Sequence, residues 1–397
     1  LQALSRSEPA RGVMAAPVSV VLVGIGGYGE MYLSALLDYP SPTACRLVGA
    51  VDPDPDRCTR LADLEQRSVP VFDRLEAFYG AHDAELAIIS SPIQLHADHT
   101  CEALTHGSRV LVEKPAAAVP PDVDRMIAVR DATDGFVAVG FQWSFADSIL
   151  ALKRDILAGR FGGPHGGRCL TLWARPESYY RRNEWAGRRR DAHGRWILDS
   201  PVCNAMAHDL HNLLFLLGPR MDRSAEPAAI TAMLARANDI ETFDSIAGRI
   251  VVHGGHELLC LASHAVSESE EIQPRFVLEF DDAVVRFPGE QASITAACSD
   301  GSTVTYASPN TTPQETKLWQ CVEAVHGQAP IHCGLEAARP HTACVNGIEV
   351  AGIPVQEFRQ EHIHRSDTAS GPLRWVAGLA DSFVQSYETG DWPEVLA

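Results

Sequence analysis

Val18-Ser19-Val20-Val21-Leu22-Val23 runs directly into Gly24-Ile25-Gly26-Gly27-Tyr28-Gly29, and the apolar run after that closes on Asp52. A β-branched strand, a glycine turn, an amphipathic segment and an acidic residue, in that order, make up a dinucleotide-binding fingerprint. Each position has a physical task. Gly24 permits the tight turn, Gly26 lets the backbone approach a pyrophosphate, and Gly29 lets the following helix sit close to the strand. The pyrophosphate would rest on a helix N-terminus, where unpaired N–H groups and the dipole favour negative charge. G-x-G-x-x-G alone is weak, because glycines also punctuate ordinary loops; the strand before it and Asp52 after it make the match specific.

Asp52 also bears on the cofactor. A carboxylate at the end of the second strand accepts hydrogen bonds from ribose hydroxyls and repels a 2′-phosphate in the same place, so NAD is expected over NADP. Pro53-Asp54-Pro55-Asp56 adds further acid, and only Arg57 argues the other way.

The 397 residues exceed one typical core and suit two domains. With 46% hydrophobic and 21% charged residues, the composition is that of an ordinary globular protein rather than a disordered or fibrous one. A formal charge of −18 repels nucleic acid and anionic membrane, so neither is an expected partner. No apolar stretch approaches the length of a membrane span. Leu1 to Val13 lacks the apolar core of a signal peptide, which predicts a cytoplasmic protein starting at Met14, with residues 1–13 an extension. The ten cysteines are scattered without a C-x-x-C pair, the usage of reduced thiols.

Strand-like runs at Val18–Val23, Leu47–Val51, Leu86–Ile89, Arg109–Val112 and Phe136–Gly140 alternate with helical periodicity, which predicts an α/β unit with a doubly wound parallel sheet. After Phe141 the pattern changes. A linking helix over Ile149–Leu157 is followed by strand-like stretches near Cys169–Trp173, Ile230–Ala235, Ser245–Val252, His256–His264, Phe276–Phe280 and Val284–Phe287, with helices at Ala205–Leu217, Glu315–His326 and Leu335–Asn346. Strands without helices between them predict a large, mostly antiparallel sheet in a second, α+β domain. The division is therefore 14–145 for dinucleotide binding and 146–397 for the substrate and for oligomerisation.

Ligands bind beyond the carboxyl ends of parallel strands. Three such ends carry special residues: Ser90-Ser91-Pro92, Glu113-Lys114-Pro115 and Gly140-Phe141-Gln142. Lys114, directly after Val110-Leu111-Val112, would be carried to the nicotinamide end of the site, where burial lowers a lysine's pKa toward acid–base work. Position alone equally allows a snorkelling surface lysine paired with Glu113.

The glycine motif, Ser91-Pro92 with His96 after it, and Glu113-Lys114-Pro115 together resemble the glucose–fructose oxidoreductase, inositol dehydrogenase and rhizopine-catabolism (Gfo/Idh/MocA) family. The order of linking helix, later sheet and the helix ending Leu216-Leu217-Gly218 is similar to that family too. The resemblance implies a Rossmann domain followed by an α+β domain whose sheet has one open face used for homo-oligomer assembly. It also implies a catalytic-site role for Lys114, a cis Lys114–Pro115 peptide, and NAD-dependent oxidation of a sugar, glycoside or cyclitol hydroxyl. The family places an aspartate four residues before a histidine on one helix, a spacing that puts both on one face. Here that stretch reads Asn204-Ala205-Met206-Ala207-His208, so asparagine stands where the acid is expected and cannot stabilise an imidazolium by charge. His211 likewise occupies the place of the family's later acid. His208 with His211, His96 with His99, or His253 with His256 could suggest metal, but no third ligand has a fitting spacing, and a metal-free site is expected.

Trp173-Ala174-Arg175, then Tyr179-Tyr180-Arg181-Arg182-Asn183-Glu184-Trp185, supply aromatic faces for sugar rings and polar groups for hydroxyls. Trp173, Arg175, Tyr179, Tyr180 and Asn183 are the candidate substrate residues, with Lys114, Asn204, His208 and His211. The arginine cluster also suits an anionic substrate group. Arg188–Arg190 are expected to be solvated and paired with Asp191, Glu177 and Glu184. Two other readings stay open: an enzyme that keeps NAD bound and uses transient oxidation for elimination or epimerisation, and a non-catalytic NAD-sensing regulator, which Asn204 favours.

Overall fold

The computed structural model describes residues 16–38 and 44–396; Met14 and the extension expected over residues 1–13 lie outside them. The first unit runs β1 (Val18–Val23), α1 (Gly29–Asp38), β2 (Cys45–Val51), α2 (Leu61–Gln66), β3 (Val71–Phe72), α3 (Leu75–Tyr79), β4 (Leu86–Ile89), α4 (His96–Thr105), β5 (Arg109–Val112), α5 (Pro120–Asp131) and β6 (Val137–Val139). Its six strands are all parallel, in the order β3-β2-β1-β4-β5-β6. Because helices cover both faces, β1 and β4 are buried almost without alternation, and Val20, Val21, Leu22 and Leu86 through Ile89 are all 0% exposed. The strand order reverses between β1 and β4, which opens a crevice at their carboxyl ends. All five expected strands are present. Only β3 was not anticipated, since two residues are too few to show a period.

The second unit begins with α6 (Asp147–Leu157), β7 (Pro164–Leu172), α7 (Glu177–Arg181) and α8 (Ala207–Leu216). It continues through β8 (Pro227–Arg236), β9 (Ser245–Val252), β10 (Glu257–Ser263), β11 (Ile272–Phe280), β12 (Ala283–Phe287), β13 (Ile294–Cys298) and β14 (Thr303–Tyr306). It closes with α9 (Thr316–Val325), α10 (Leu335–Glu349), β15 (Val355–Glu357), the hairpin β16 (Ile363–Thr368) and β17 (Gly371–Val376), and α11 (Leu379–Thr389). Its nine-stranded sheet has the order β14-β13-β12-β11-β7-β10-β9-β8-β15 and is antiparallel except for β7–β10 and β8–β15.

One face of this sheet packs on α8 and shares a continuous apolar core with the first unit. The other face was expected to lie open, and here the structure differs. Leu170, Leu172, Leu259 and Leu261 are buried under Leu373 and Val376 of the hairpin and Leu379 and Phe383 of α11, which form a second core. The chain's own C-terminal segment thus covers apolar surface that would otherwise need a partner, and the large hydrophobics left exposed among the described residues, Tyr28, Leu157 and Val350, lie elsewhere. The argument for an oligomer through that face does not carry over.

The two units are stitched at the edge of the parallel sheet. Val139 N–H donates to the Cys333 carbonyl at 2.8 Å, Ala138 bridges Gly334, and Arg130 grips Glu336 through two bonds of 2.7 Å. These bonds fix the second unit over the carboxyl ends of β4, β5 and β6.

Candidate active site

The glycine turn has the geometry of a dinucleotide cradle. At Gly24, with φ +84°, a Cβ would lie 2.6 Å from the Ser90 carbonyl oxygen, and at Gly29 it would lie 2.0 Å from that of Gly24, so β1, β4 and α1 meet only because side chains are missing. Above Gly26 the nearest neighbour is Arg57 Cβ at 4.0 Å, leaving its backbone open to a ligand. The Asp52 carboxylate is held at the end of β2 by the N–H groups of Ile25 (3.0 Å) and Asp54 (2.9 Å), with lone pairs to spare for hydroxyls. These residues fit the adenosine half of a dinucleotide. Arg57 turns away to Asp54 at 3.3 Å and is exposed.

On the other wall, His96 joins two loops, with Nε2 at 2.8 Å from the Ser91 carbonyl and Nδ1 at 2.9 Å from that of Pro115. It is 2% exposed and so acts as a strut under the Ser91-Pro92 turn. Ser91 Oγ lies 3.0 Å from His99 Nδ1. Gln142 is half-buried and opens the short turn Gln142–Phe145 after β6.

Glu113 and Lys114 leave the end of β5 in opposite directions, with a cis Lys114–Pro115 peptide as expected. Glu113 goes inward. Its Oε1 accepts from the Tyr32 hydroxyl at 2.6 Å and from Lys317 Nζ, a buried ion pair reaching across to the first turn of α9. Lys317 also donates to the Tyr28 hydroxyl at 3.0 Å, so the second unit is hooked onto the glycine turn itself. Burial opposes ionisation of Glu113, but Lys317 outweighs it and holds the carboxyl below its ordinary range. Lys114 therefore does not pair with Glu113 through its ammonium group.

Lys114 Nζ instead donates to the Asn204 carbonyl at 2.8 Å and to Asn204 Oδ1 at 3.0 Å, and burial lowers its pKa against the opposing pull of Glu113. Asn204 Nδ2 donates in turn to Asp199 Oδ1 at 2.9 Å, while Asp199 Oδ2 accepts from the Gly187 N–H at 2.7 Å. Burial raises the Asp199 carboxyl despite these donors. Asn204 and His208 were expected on one helix. Helix α8 starts only at Ala207, and Asn204 lies in the turns before it, where the N–H groups of Cys203 and Asn204 both seek the Ser200 carbonyl. Its side chain is therefore free to bridge Lys114 and Asp199.

His208 opens α8 next to this group. Burial, then the charge of Lys114, push its pKa well down, so it is neutral, and its buried Nδ1 has no hydrogen-bond partner among the described residues. An orphan ring nitrogen beside a desolvated lysine is what a substrate hydroxyl would satisfy. One turn on, His211 is 1% exposed, stacks on Phe141 at 3.7 Å between ring centroids and sets Nε2 3.0 Å from Ser144 Oγ. It belongs to the packing beneath the site.

The aromatic segment divides. Trp173, Arg175, Tyr179 and Arg182 cluster at the end of β7, with the Arg175 guanidinium 5.4 Å from the Trp173 ring and 5.0 Å from that of Tyr179. Tyr180 and Asn183 instead line a polar cleft of about 760 Å³ with Glu177, Arg236, Asp239 and Arg374. Asn183 is occupied there, its Oδ1 accepting from the N–H groups of Trp185 (3.1 Å) and Ala186 (2.7 Å). Arg188 pairs with Glu241, Arg189 with the Glu349 carbonyl, and Arg190 stacks on Trp196, so none takes the partners expected for it.

Sequence reasoning did not single out Asp199 or Lys317 as site residues. Lys317 carried a signal, since it shares the buried stripe of α9 with Leu318, Cys321 and Val322, where a lysine demands a partner. Asp199 carried none, because irregular turns separate it from Asn204.

A six-stranded parallel sheet with a glycine turn, joined to an α+β unit that closes over its carboxyl ends, defines a dinucleotide-binding oxidoreductase fold. Residues 18–141, about a third of the chain, match the model of the oxidoreductase family (Gfo/Idh/MocA) with NAD-binding Rossmann fold. It is 32% identical over 140 residues to a 1-carboxy-3-chloro-3,4-dihydroxycyclohexa-1,5-diene dehydrogenase of Comamonas testosteroni, covering 35% of each chain. It is 24% identical over 202 residues to an inositol 2-dehydrogenase of Burkholderia multivorans, covering 51% of this chain and 55% of that one. The chain thus spans about a third and just over half of these two relatives. Among solved structures, the WlbA dehydrogenase of Bordetella pertussis, in complex with NADH and UDP-GlcNAcA, shares the fold at a TM-score of 0.67 and 19% identity, over 84% of this chain and 95% of that one.

Proposed function

We propose that this protein is an NAD-dependent oxidoreductase acting on a secondary hydroxyl of a sugar, glycoside or cyclitol. One observation carries the reading: Lys114 Nζ, delivered by β5 and tied to Asn204, lies by the unpartnered Nδ1 of a neutral His208 at the start of α8, beside the dinucleotide cradle. NAD, when bound, supplies a hydride acceptor at nicotinamide C4. The chain supplies the rest. Burial brings Lys114 toward exchanging a proton, and Asn204 takes two of its donor directions, leaving the third for a substrate hydroxyl. His208, held neutral, can accept that proton or orient the hydroxyl. Asp199, behind Asn204, offsets positive charge at Lys114.

Asp52 supports NAD over NADP, for the ribose and phosphate reasons given above. The inositol and WlbA dehydrogenases support a polyhydroxylated substrate. All ten cysteines are unpaired, which supports a reducing, cytoplasmic location. Asn204 in place of an acid favours a non-catalytic NAD-sensing regulator, but Asp199 beside it supplies the carboxylate that reading requires to be lost.

The test is to incubate the protein with NAD and a panel of sugars, glycosides and cyclitols while following absorbance at the NADH band. NADH formed in proportion to substrate consumed is expected. Turnover without net NADH would point to transient oxidation, and NAD binding with no turnover of any compound would favour the regulator.

A further inference from the structure

Along β7 the side chains of Cys169, Thr171 and Trp173 alternate with Leu170, Leu172 and Ala174, which face the second core. Thr171 Oγ1 donates to Asp209 Oδ2 at 2.5 Å in the first turn of α8, so the chain beyond it runs past the N-terminus of that helix. Backbone bonds from Trp173 to Ser263 (3.0 Å) and Arg175 to His264 (3.2 Å) keep the extended alternation, which puts Trp173 and Arg175 on the Thr171 side of the chain, the side that meets the start of α8. Arg182 completes the group. Its guanidinium lies 3.7 Å from the Tyr179 ring and 5.2 Å from that of Trp185, and one nitrogen donates to the Tyr179 carbonyl at 2.5 Å, leaving the exposed side chain's other donors turned to solvent.

Neither Arg175 nor Arg182 has a carboxylate within ion-pair distance among the described residues. The acids nearby are otherwise engaged: Glu177 is taken by Arg374, Arg181 and Arg365, and Glu271 accepts from the Ala174 N–H. Arg175 Nε is buried with no hydrogen-bond partner among the described residues, while the guanidinium also bonds the Tyr179 hydroxyl. The neighbouring polar cleft makes the contrast, because its arginines are compensated, Arg181 and Arg374 by Glu177, Arg188 by Glu241 and Arg236 by Glu357. The uncompensated pair is felt locally: burial, then Arg175, then Arg182 among others, hold His264 down to about 3, and Arg182 acts on Asp199 as well. In a chain with 51 acidic and 33 basic residues, two guanidiniums over aromatic rings with no carboxylate counter-ion among the described residues are arranged for a ligand's charge.

We infer that Arg175 and Arg182 form an anion subsite, so that the substrate is a sugar or cyclitol carrying a carboxylate or a phosphoryl group at the end of the molecule away from the reacting hydroxyl. Trp173 and Tyr179 supply the apolar faces between that group and Lys114. A planar, stacked guanidinium binds such an oxyanion through two parallel N–H donors without first losing much side-chain freedom. The inference deepens the oxidoreductase reading and rests on it for the substrate class.

The test uses matched pairs with NAD present: D-glucuronate against D-glucose, D-galacturonate against D-galactose, and D-glucose 6-phosphate and UDP-glucuronate as phosphoryl arms. Affinity is read by calorimetry and turnover by NADH formation. At least one anionic member should bind about tenfold or more tighter than its neutral partner, the size of one charge-assisted contact. Arg175→Gln and Arg182→Gln should each lower that preference, the lysine variants should keep part of it, and NAD affinity should not move. Preference for uronates alone or phosphorylated sugars alone assigns the source of the charge. Equal affinity within every pair, binding of none of the acids, or an unchanged preference in both glutamine variants would overturn the subsite. Arginine-dependent binding without NADH leaves the subsite standing and removes the dehydrogenase reading; oxidation of neutral sugars with no anionic preference does the reverse.

Discussion

Asn204 accepts from Lys114 Nζ through Oδ1 at 3.0 Å and donates through Nδ2 to Asp199 Oδ1 at 2.9 Å, so an asparagine ties the site lysine to a buried carboxylate. The orientation of the amide is dictated, since an ammonium only donates and a carboxylate only accepts. The acid that the family resemblance leads one to expect at position 204 is present as Asp199, reached one side chain further back.

Asn204 and Asp199 should therefore behave as a unit. Asp199→Asn should lower turnover of a confirmed substrate by roughly tenfold or more, the scale of lost acid–base support. Asn204→Asp alone sets two carboxylates in hydrogen-bond contact, which forces one to keep its proton. The exchanged double variant, Asp199→Asn with Asn204→Asp, should recover much of the lost activity. Negative charge moved next to Lys114 should also raise the pH at which its base form appears, which a pH–rate profile reads directly. Full activity in Asp199→Asn would show that the carboxylate is only structural.

Lys114→Met keeps most of the side chain's length while removing its titratable nitrogen. NAD should still bind, and kcat should fall by roughly a hundredfold or more. His208→Ala should give a comparable loss, and the double variant should lose less than the product of the two if they act together. Steady-state kinetics with calorimetric NAD titration checks both halves.

Asp52→Ser should weaken NAD binding and relax discrimination against NADP, because it removes the ribose acceptor and the repulsion of a 2′-phosphate together. The ratio of kcat/KM for the two cofactors is the measure; an unmutated protein that already prefers NADP would contradict the role given to Asp52.

Lys317→Met leaves Glu113 as an uncompensated charge in a site where the two partners are 1% and 10% exposed. Unfolding in urea should show a loss of about 3–5 kcal/mol. Adding Glu113→Gln should return part of it, since a neutral amide can keep the Tyr32 bond. A double variant as unstable as the sum of the singles would deny the coupling.

Burial raises the Asp209 carboxyl from 3.8 to about 7, opposed only by the Thr171 hydroxyl. The folded chain thus holds a proton that the unfolded chain releases, and stability falls as pH rises through that window by at most about 1.4 kcal/mol per pH unit, then levels above it. Asp209→Asn can still accept from Thr171 and has no proton to lose. The difference in unfolding free energy between the two proteins should therefore change between about 3.8 and about 7 and stay constant at higher pH.

Much of the fold was legible in the chain because its elements are long enough to show a period. The unbroken apolar runs of β1, β4 and β5 mark strands covered on both faces, and the glycine turn with Asp52 fixed the place of the crevice. Short elements escaped: Val71–Phe72 has no period, and Thr303-Val304-Thr305-Tyr306, though strand-forming in composition, is too short to stand out as an edge strand. The hairpin and α11 were not foreseen as a cover for the sheet, since Leu373 to Phe383 follow the face they close, Leu170 to Leu261, by more than a hundred positions and leave no local pattern.

The sequence by itself determined the dinucleotide-binding unit, the order of the two sheets and the delivery of Lys114 to the end of β5, because these follow from local periodicity and from short motifs whose spacing is their geometry. Tertiary structure alone decided the partners: that Glu113 belongs to Lys317 rather than to Lys114, that Asn204 leaves the helix of His208 to reach Asp199, and that Arg175 and Arg182 have no carboxylate partner among the described residues while Arg181 and Arg188 have one. Charge pairing and desolvation depend on distances between segments up to two hundred residues apart, as between Glu113 and Lys317, |i−j| = 204, and no local pattern carries that information.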